Sequence, residues 1–340
     1  KYLCPRSGFA STREQMIPLQ MSAELLLSVD TLYLLGGILL LYLGAELLVD
    51  SASSLAVGYG IAPATVGVTV VAFSTTAPEL FVSVVGGIGI SSDIGLGNII
   101  GSNIANLGLV LGASALVQPL SVDSKLLWRH GPFMLAAAVL LVVLGSDGTL
   151  GQFDGAGMLA LLAVFTGYMI YQSRSADDEV VPDEMQVESE SGSVSARQLA
   201  LLAGAGVCLL GGSIGLVQGG TGLLRSFGFG DLFIGITIIA FGTSLPELAT
   251  SLVSSFRDEA EFSVGNVVGS NIYNVLAVIG LLAIVHPLSV NANVQTFHFP
   301  VMLAFTVGAM ALMAVGRSVS RPGGVALVGA YGGFVYLLLP

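Results

Sequence analysis

The residues of this chain most able to do chemistry are two glutamates, Glu79 and Glu247, each of which directly follows a proline within an apolar run. The stretch at 66–80, VGVTVVAFSTTAPEL, is nearly repeated at 234–248 as IGITIIAFGTSLPEL. An offset of 168 residues relates the positions of the two copies without a gap. Because burying a carboxylate in hydrocarbon is costly, a carboxylate inside such a run indicates a functional site.

Oxygen donors accompany each glutamate. Pro78 and Pro246 have no backbone N–H, so the carbonyls of Ser74 and Gly242 lose their helical partners. In lipid such carbonyls must find another partner or face a polar cavity. Alanine and hydroxyl residues precede each glutamate at helical spacing and share its face. The two sets are Ala72, Thr75 and Thr76 with Glu79, and Ala240, Thr243 and Ser244 with Glu247.

The next apolar segment of each copy carries polar side chains spaced four residues apart, which keeps them on one helix face. Oxygen ligands without sulfur or imidazole select hard cations such as Ca²⁺ and Na⁺. Two carboxylates match the charge of one divalent ion. For individual asparagines and serines the alternative stays open that they only bond helices together. The two stripes are Asn98, Ser102 and Asn106, and Asn266, Ser270 and Asn274.

The composition is that of a membrane protein. The 340 residues are 54% hydrophobic and 10% charged, with a mean hydropathy of +0.88, whereas about a quarter of a soluble domain is charged. The net charge of −11 and the lack of a basic patch argue against nucleic-acid binding. The two cysteines lack metal-ligand spacing. We predict no cofactor and no enzymatic activity, and expect the lipid bilayer and inorganic cations as partners.

Apolar runs of about 20 residues each correspond to one membrane span. They predict an all-α polytopic membrane protein with ten transmembrane helices. Five helices per copy is an odd number, so the second copy enters the membrane from the opposite side. This predicts two inverted five-helix repeats with broken helices at the ion site. The predicted spans are 31–56, 64–90, 94–118, 130–146, 153–172, 197–224, 232–256, 262–285, 297–316 and 322–340.

The predicted organisation has four parts. An N-terminal segment at 1–30 is expected to be disordered or not native, and a first repeat at 31–172 follows it. An acidic linker at 173–196 leads to the second repeat at 197–340. Loops rich in lysine and arginine face the cytoplasm. Most lysines and arginines of the loops lie on the cytoplasmic side if both termini lie outside, so we predict this orientation. We expect no cleavable signal peptide, since the first apolar run is long enough to span and lacks a small-residue cleavage site.

Glu46 and Asp50 are two further acids within an apolar run. They lie one helical turn apart in the first predicted span, and the corresponding positions of the second copy are Ile214 and Gln218. Because the pair is not repeated, we expect it on a helix face that reaches water. A role in transport is the alternative.

At these motifs the chain resembles the cation/calcium antiporter superfamily, and within it the prokaryotic sodium/calcium exchangers. The resemblance covers residues 31–340 and rests on FSTTAPEL with GNIIGSNIAN in one copy and FGTSLPEL with GNVVGSNIYN in the other. It implies one site with four cation positions formed by both repeats. It also implies that the helices at 31–56 and 197–224 slide over a rigid remainder.

The resemblance assigns roles to the residues of both copies. It implies that Glu79 and Glu247 bind Ca²⁺ together with the carbonyls of Thr75 and Thr243. Some prokaryotic exchangers carry an aspartate where this chain has Asn274, and the potassium-dependent branch also uses an acid in this region. The amide here argues against potassium coupling and leaves proton coupling open. The implied Na⁺ ligands are Ala72, Ala240, Ser102, Ser270, Thr75, Thr243, Asn106 and Asn274.

We therefore expect a sodium/calcium antiporter in the plasma (inner) membrane of a prokaryote, which exports Ca²⁺ by alternating access as Na⁺ enters. Calcium/proton exchange, with Glu79 and Glu247 carrying the protons, is the alternative within transport. A remote alternative from another class is an intramembrane protease. It is disfavoured because such aspartyl proteases use aspartates, whereas these acids are glutamates at mirrored Pro-Glu turns.

Overall fold

The computed structural model describes residues 28–59, 63–76, 79–80, 83, 92–175, 196–226, 242 and 244–338. Helices account for nearly all of these residues, and we number them in chain order. In the first half, α1 is Val29–Tyr59, and α2 begins as Pro63–Val66 and continues through Gly67–Val71 to residue 76. Helix α3 consists of Ser92–Ala105, Asn106–Val110 and Leu111–Val117; α4 of Leu126–His130 and Gly131–Leu144; and α5 of Gln152–Ser175.

The second half repeats this order. Helix α6 is Ala196–Ser226 and α7 is Leu245–Phe256. Helix α8 consists of Ala260–Tyr273, Asn274–Ile279 and Gly280–Val285; α9 of Val294–His298 and Phe299–Ala314; and α10 of Arg321–Leu338.

Within the described part of the chain, six helices are long and apolar enough to cross a membrane. They are Val29–Leu55, Gly95–Val117, Leu126–Asp147, Ala196–Leu223, Ala260–Val285 and Val294–Arg317. Ala64–Thr76 is a shorter apolar helix in the predicted second span. Helices α5 and α10 occupy the predicted spans 153–172 and 322–340.

Several predictions fall outside the described residues. They concern residues 1–27, the linker residues 176–195, and the parts of two predicted spans at 84–90 and 232–241. Three individually named residues also fall there: Pro78, Ala240 and Thr243.

The helices of the two halves share an unusual local geometry at matching positions. The turn at Asn106–Val110 widens from an α-helix to a π-helix, and so does the turn at Asn274–Ile279, which begins 168 residues later. The first turns of α4 and α9, Leu126–His130 and Val294–His298, repeat the feature with the same offset. Single π-helical turns inside α-helices occur frequently at functional sites. The sequence duplication is therefore also a duplication of backbone detail.

Two pairs of short β-strands connect the halves. β1 (Leu120–Ser121) pairs antiparallel with β4 (Ser318–Val319), and β2 (Thr149–Leu150) pairs antiparallel with β3 (Leu288–Ser289). The registers are Leu120↔Val319 and Leu150↔Leu288. Each pair joins one strand from each half, so the halves associate through reciprocal contacts, as a pseudo-two-fold relation requires.

Helices α1 and α6 pack against each other through glycines. A Cβ atom on Gly37 would lie 2.4 Å from the backbone nitrogen of Leu216, and one on Gly212 would lie 2.7 Å from that of Leu41. Small residues allow backbones to approach this closely in a membrane, where no hydrophobic drive holds helices together. The pair belongs to a hydrophobic cluster that includes Leu48 and Leu209, separate from the larger core built around α3, α4, α5 and α8. This cluster also includes residues of α2 and α7, so the helix pair packs against both of these helices.

Candidate cation site

The two glutamates lie close together in the interior of the protein. Glu79 lies in a helical segment that follows α2, and Glu247 lies in the first turn of α7. Both side chains are fully buried, at 0% exposure, and the two carboxylates interact electrostatically. Both carboxylate oxygens of Glu79 and Oε2 of Glu247 lack a hydrogen-bond partner among the described residues. Two buried carboxyl groups this close together need a proton or a compensating positive charge, and a bound cation can supply the charge.

A chain of hydroxyls joins the two halves at this point. The Oγ of Ser270 in α8 donates to Oε1 of Glu247 at 3.5 Å. The Oγ1 of Thr75, from α2 of the other half, lies 3.4 Å from the Oγ of Ser270 and 3.2 Å from the carbonyl oxygen of Ala72. Ala72 and Thr75 are fully buried, and Ser270 is as well. Residues that are 195 positions apart in sequence therefore form one polar cluster.

Asn266 of α8 forms hydrogen bonds with residues of this cluster. The Nδ2 of Asn266 donates to the carbonyl oxygen of Glu247 at 3.3 Å and to the Oγ of Ser251 at 3.1 Å. Its Oδ1 accepts a hydrogen bond from Thr75 at 3.1 Å. In the first half, the Nδ2 of Asn98 donates to the Oγ of Ser83 at 3.0 Å, which repeats the pair of Asn266 and Ser251.

The two amides at the start of the π-helical turns are fully buried. Asn274 donates from Nδ2 to the Oδ1 of Asn103 at 3.1 Å, and its own Oδ1 has no partner among the described residues. Both polar atoms of the Asn106 side chain lack a partner there as well, as do the hydroxyls of Thr76 and Ser244. Ser102 is buried in the same helix as Asn106.

Unpartnered polar atoms are frequent among the residues that the motifs predict as cation ligands. Of the twelve buried side-chain polar atoms without a partner in the described residues, eight belong to Glu79, Glu247, Thr76, Ser244, Asn106 and Asn274. Buried polar atoms are nearly always hydrogen-bonded, so each exception calls for an explanation. Seven of the eight are oxygens, which are the ligands that Ca²⁺ and Na⁺ prefer. The donor set fits a hard cation as substrate.

One of the carbonyls predicted to lose its helical partner is satisfied by a residue that the sequence analysis missed. The carbonyl oxygen of Gly242, which Pro246 leaves without an N–H donor, accepts a hydrogen bond from the Oγ of Ser213 in α6. A Cβ atom on Gly242 would lie 2.2 Å from a methyl group of Val217, so α6 contacts the break directly. Nothing in the apolar run around Ser213 indicates its partner, because the contact depends on how α6 packs.

We expect Ser213→Ala to destabilise the protein by about 1–3 kcal/mol, the cost of leaving one buried acceptor unpaired. A lower apparent melting temperature in detergent would show this loss. Ile214→Ala is the matched control, because its side chain is 49% exposed in the same helix. Equal melting temperatures for the two variants would contradict this role of Ser213.

A second missed contact involves Glu46 and Asp50. Both pair with Arg257, which follows the last residue of α7. Ser53 of α1 donates to the neighbouring Glu259 carboxylate at 2.9 Å. Burial raises the pKa of Glu259, while the hydrogen bond from Ser53 and the charge of Arg257 act in the opposite direction. The partly exposed position of Glu46 agrees with a face that reaches water, and Arg257 ties that face of α1 to the end of α7.

Comparison with known proteins identifies the family. The family model described as "Sodium/calcium exchanger protein" matches residues 29–171 and 197–339. The chain belongs to this family. It is thus an exchanger-type antiporter of the cation/calcium antiporter superfamily, which confirms the predicted resemblance, and it is a multi-pass membrane protein.

Relatives of this exchanger cover nearly its whole length. The putative antiporter CaxA of Alkalimonas amylolytica is 36% identical over 91% of this chain and 98% of CaxA. The inner membrane protein YrbG of Escherichia coli K12 is 33% identical over 88% of this chain and 94% of YrbG. The sodium/calcium exchanger MaX1 of Methanosarcina acetivorans is 29% identical over 92% of this chain and 99% of MaX1.

Solved structures of an exchanger have a similar fold. The sodium-calcium exchanger NCX_Mj, soaked with 10 mM Na⁺ and 10 mM Sr²⁺, matches with a TM-score of 0.78 and 28% identity over 92% of this chain and 99% of NCX_Mj. The same protein soaked without Na⁺ and Ca²⁺ matches with a TM-score of 0.77 over 91% of this chain. The predicted all-α polytopic fold with inverted repeats is confirmed.

Proposed function

We propose that this exchanger exports Ca²⁺ from a prokaryotic cell across the inner membrane, with Na⁺ entry as the driving force. In this proposal the repeats at 31–172 and 197–340 lie on either side of a cytoplasmic linker at 173–196, and both termini lie outside. The observation that carries the proposal is the pair of buried carboxylates, one from each half, which interact with each other. Glu247 is also linked through Ser270 to Thr75 of the first half. The name of MaX1, which is 29% identical, supports the same pair of ions.

The charges suggest how one site serves both ions. Glu79 and Glu247 balance one Ca²⁺, and we assign the carbonyls of Thr75 and Thr243 to the same ion. If three Na⁺ ions replace one Ca²⁺, they exceed the two carboxylates by one positive charge, so neutral oxygens must complete their coordination. We assign this task to the residues that the sequence analysis named: Ala72, Ala240, Ser102, Ser270, Thr75, Thr243, Asn106 and Asn274. In each exchange one net charge then crosses the membrane.

Competition between the two ions tests this proposal at equilibrium. Isothermal titration of the detergent-purified protein with Ca²⁺ is expected to show saturable binding that weakens as NaCl replaces KCl at constant ionic strength. Antiport through a shared site requires this mutual exclusion. Ca²⁺ binding that is equally tight in NaCl and KCl would overturn the proposal of a shared sodium and calcium site.

A further inference from the structure

Asn266 uses its whole amide in contacts around the candidate site. It is fully buried in α8, donates twice from Nδ2 and accepts once at Oδ1. One of its partners is the main-chain carbonyl of Glu247, and a carbonyl can only accept. This partner fixes the amide orientation, so that Nδ2 faces Glu247 and Oδ1 faces Thr75. The hydroxyl of Thr75 must therefore be the donor in its contact with Asn266.

The direction of this bond matters because a hydroxyl has one hydrogen. The hydroxyl of Thr75 has three oxygens within reach: the Oδ1 of Asn266 at 3.1 Å, the carbonyl oxygen of Ala72 at 3.2 Å and the Oγ of Ser270 at 3.4 Å. If the Thr75 hydroxyl donates its hydrogen bond to Asn266, it does not occupy a lone pair of the Ala72 carbonyl oxygen. A hydroxyl that coordinates a cation must also point its hydrogen away from the ion, and Asn266 supplies the acceptor for it.

We infer that Asn266 is a positioning residue that accepts the Thr75 hydrogen and so leaves the oxygens of Thr75 and Ala72 free to coordinate Na⁺. This inference rests on the proposed function. The side chain of Asn266 approaches the site through Thr75 and through the main chain of Glu247. Asn266 therefore acts on the cation through two other residues, each from a different half of the protein.

One of the three contacts of Asn266 recurs in the other half. Asn98 lies 168 residues before Asn266, and its bond to Ser83 matches the bond of Asn266 to Ser251. The duplication places one such amide behind each glutamate-bearing segment.

Asn266→Leu removes this acceptor, so that the Thr75 hydroxyl turns to the Ala72 carbonyl or to the Oγ of Ser270 and withdraws that oxygen from Na⁺. We expect the Na⁺ concentration that halves Ca²⁺ binding to rise about tenfold, because neutral oxygens carry the binding of the monovalent ion. The Ca²⁺ dissociation constant in KCl is expected to change by less than about threefold, since carboxylates dominate the binding of Ca²⁺. A merely structural role would weaken both ions together.

The experiment is the same titration of Ca²⁺ in KCl and NaCl, applied to three variants of the full chain. Asn271→Leu is the matched control, because Asn271 is also buried in α8 and its amide bonds locally to the Val267 carbonyl at 2.7 Å. Asn266→Asp keeps an acceptor for Thr75 and is expected to retain Na⁺ competition at least as strong as the parent's. This variant decides the question if Asn266→Leu does not fold.

The outcomes separate the two proposals. A parent protein without Na⁺ competition refutes the shared site before any variant is compared. With competition present in the parent, the inference about Asn266 is overturned by an unchanged Na⁺ effect in Asn266→Leu. It is also overturned by a loss of competition in Asn266→Asp, or by an equal loss in Asn271→Leu.

Discussion

Glu79→Gln and Glu247→Gln are each expected to abolish Ca²⁺ transport while the protein still folds and inserts. Each change leaves one carboxylate to balance a divalent ion in a cavity where both side chains are fully buried. Electrostatic terms are much larger there than in water. Removing one partner of a buried charge pair costs about 3 kcal/mol, or about a hundredfold in affinity.

The measurement is radioactive Ca²⁺ uptake into proteoliposomes, with the amount of folded protein checked by size-exclusion chromatography. Glu261→Gln makes the same chemical change at the start of α8, where the side chain is only partly buried, and is the control. Uptake by either site variant at more than half the rate of the control would refute the role of the carboxylates.

Asn106→Leu and Asn274→Leu are expected to weaken the dependence of Ca²⁺ flux on Na⁺. Both amides are fully buried, and their Oδ1 atoms have no partner among the described residues. If three Na⁺ ions bind beside two carboxylates, neutral oxygens such as these complete the coordination. Losing one oxygen ligand is expected to raise the Na⁺ concentration for half-maximal exchange about tenfold.

The Na⁺ dependence of Ca²⁺ efflux from loaded proteoliposomes measures this effect. Asn271→Leu again serves as the control, since Asn271 bonds within its own helix. An unchanged Na⁺ dependence in both amide variants would show that these residues do not bind Na⁺.

The sequence predicted the fold because the two copies of a duplicated sequence fold alike. The constant offset between Glu79 and Glu247 predicted two matching halves, and the structure brings the two carboxylates together. The spacing of Asn266 and Ser270 predicted a polar stripe on one helix face, and both residues contact Glu247. The first inference needed only the duplication, and the second needed only helical periodicity within one segment.

The contacts that the sequence did not predict depend on how separate helices dock. Ser213 bonds a carbonyl 29 residues away, and Arg257 pairs with Asp50 across 207 residues. Neither pair has an equivalent in the other copy, so the duplication gave no signal. Asn266 was recognised as part of a stripe, but its bond to Thr75 joins the two halves and required the tertiary structure.

The most direct test of the central claim is Ca²⁺ uptake into proteoliposomes loaded with Na⁺ and diluted into Na⁺-free medium. We expect rapid uptake that an inside-positive potential accelerates, because one net positive charge leaves per cycle and each charge contributes about 2.3 kcal/mol per 100 mV. The same vesicles without Na⁺, under an imposed pH gradient alone, are expected to take up little Ca²⁺. Uptake that runs equally well on the pH gradient in Na⁺-free medium would contradict the account and show that protons are the coupling ion.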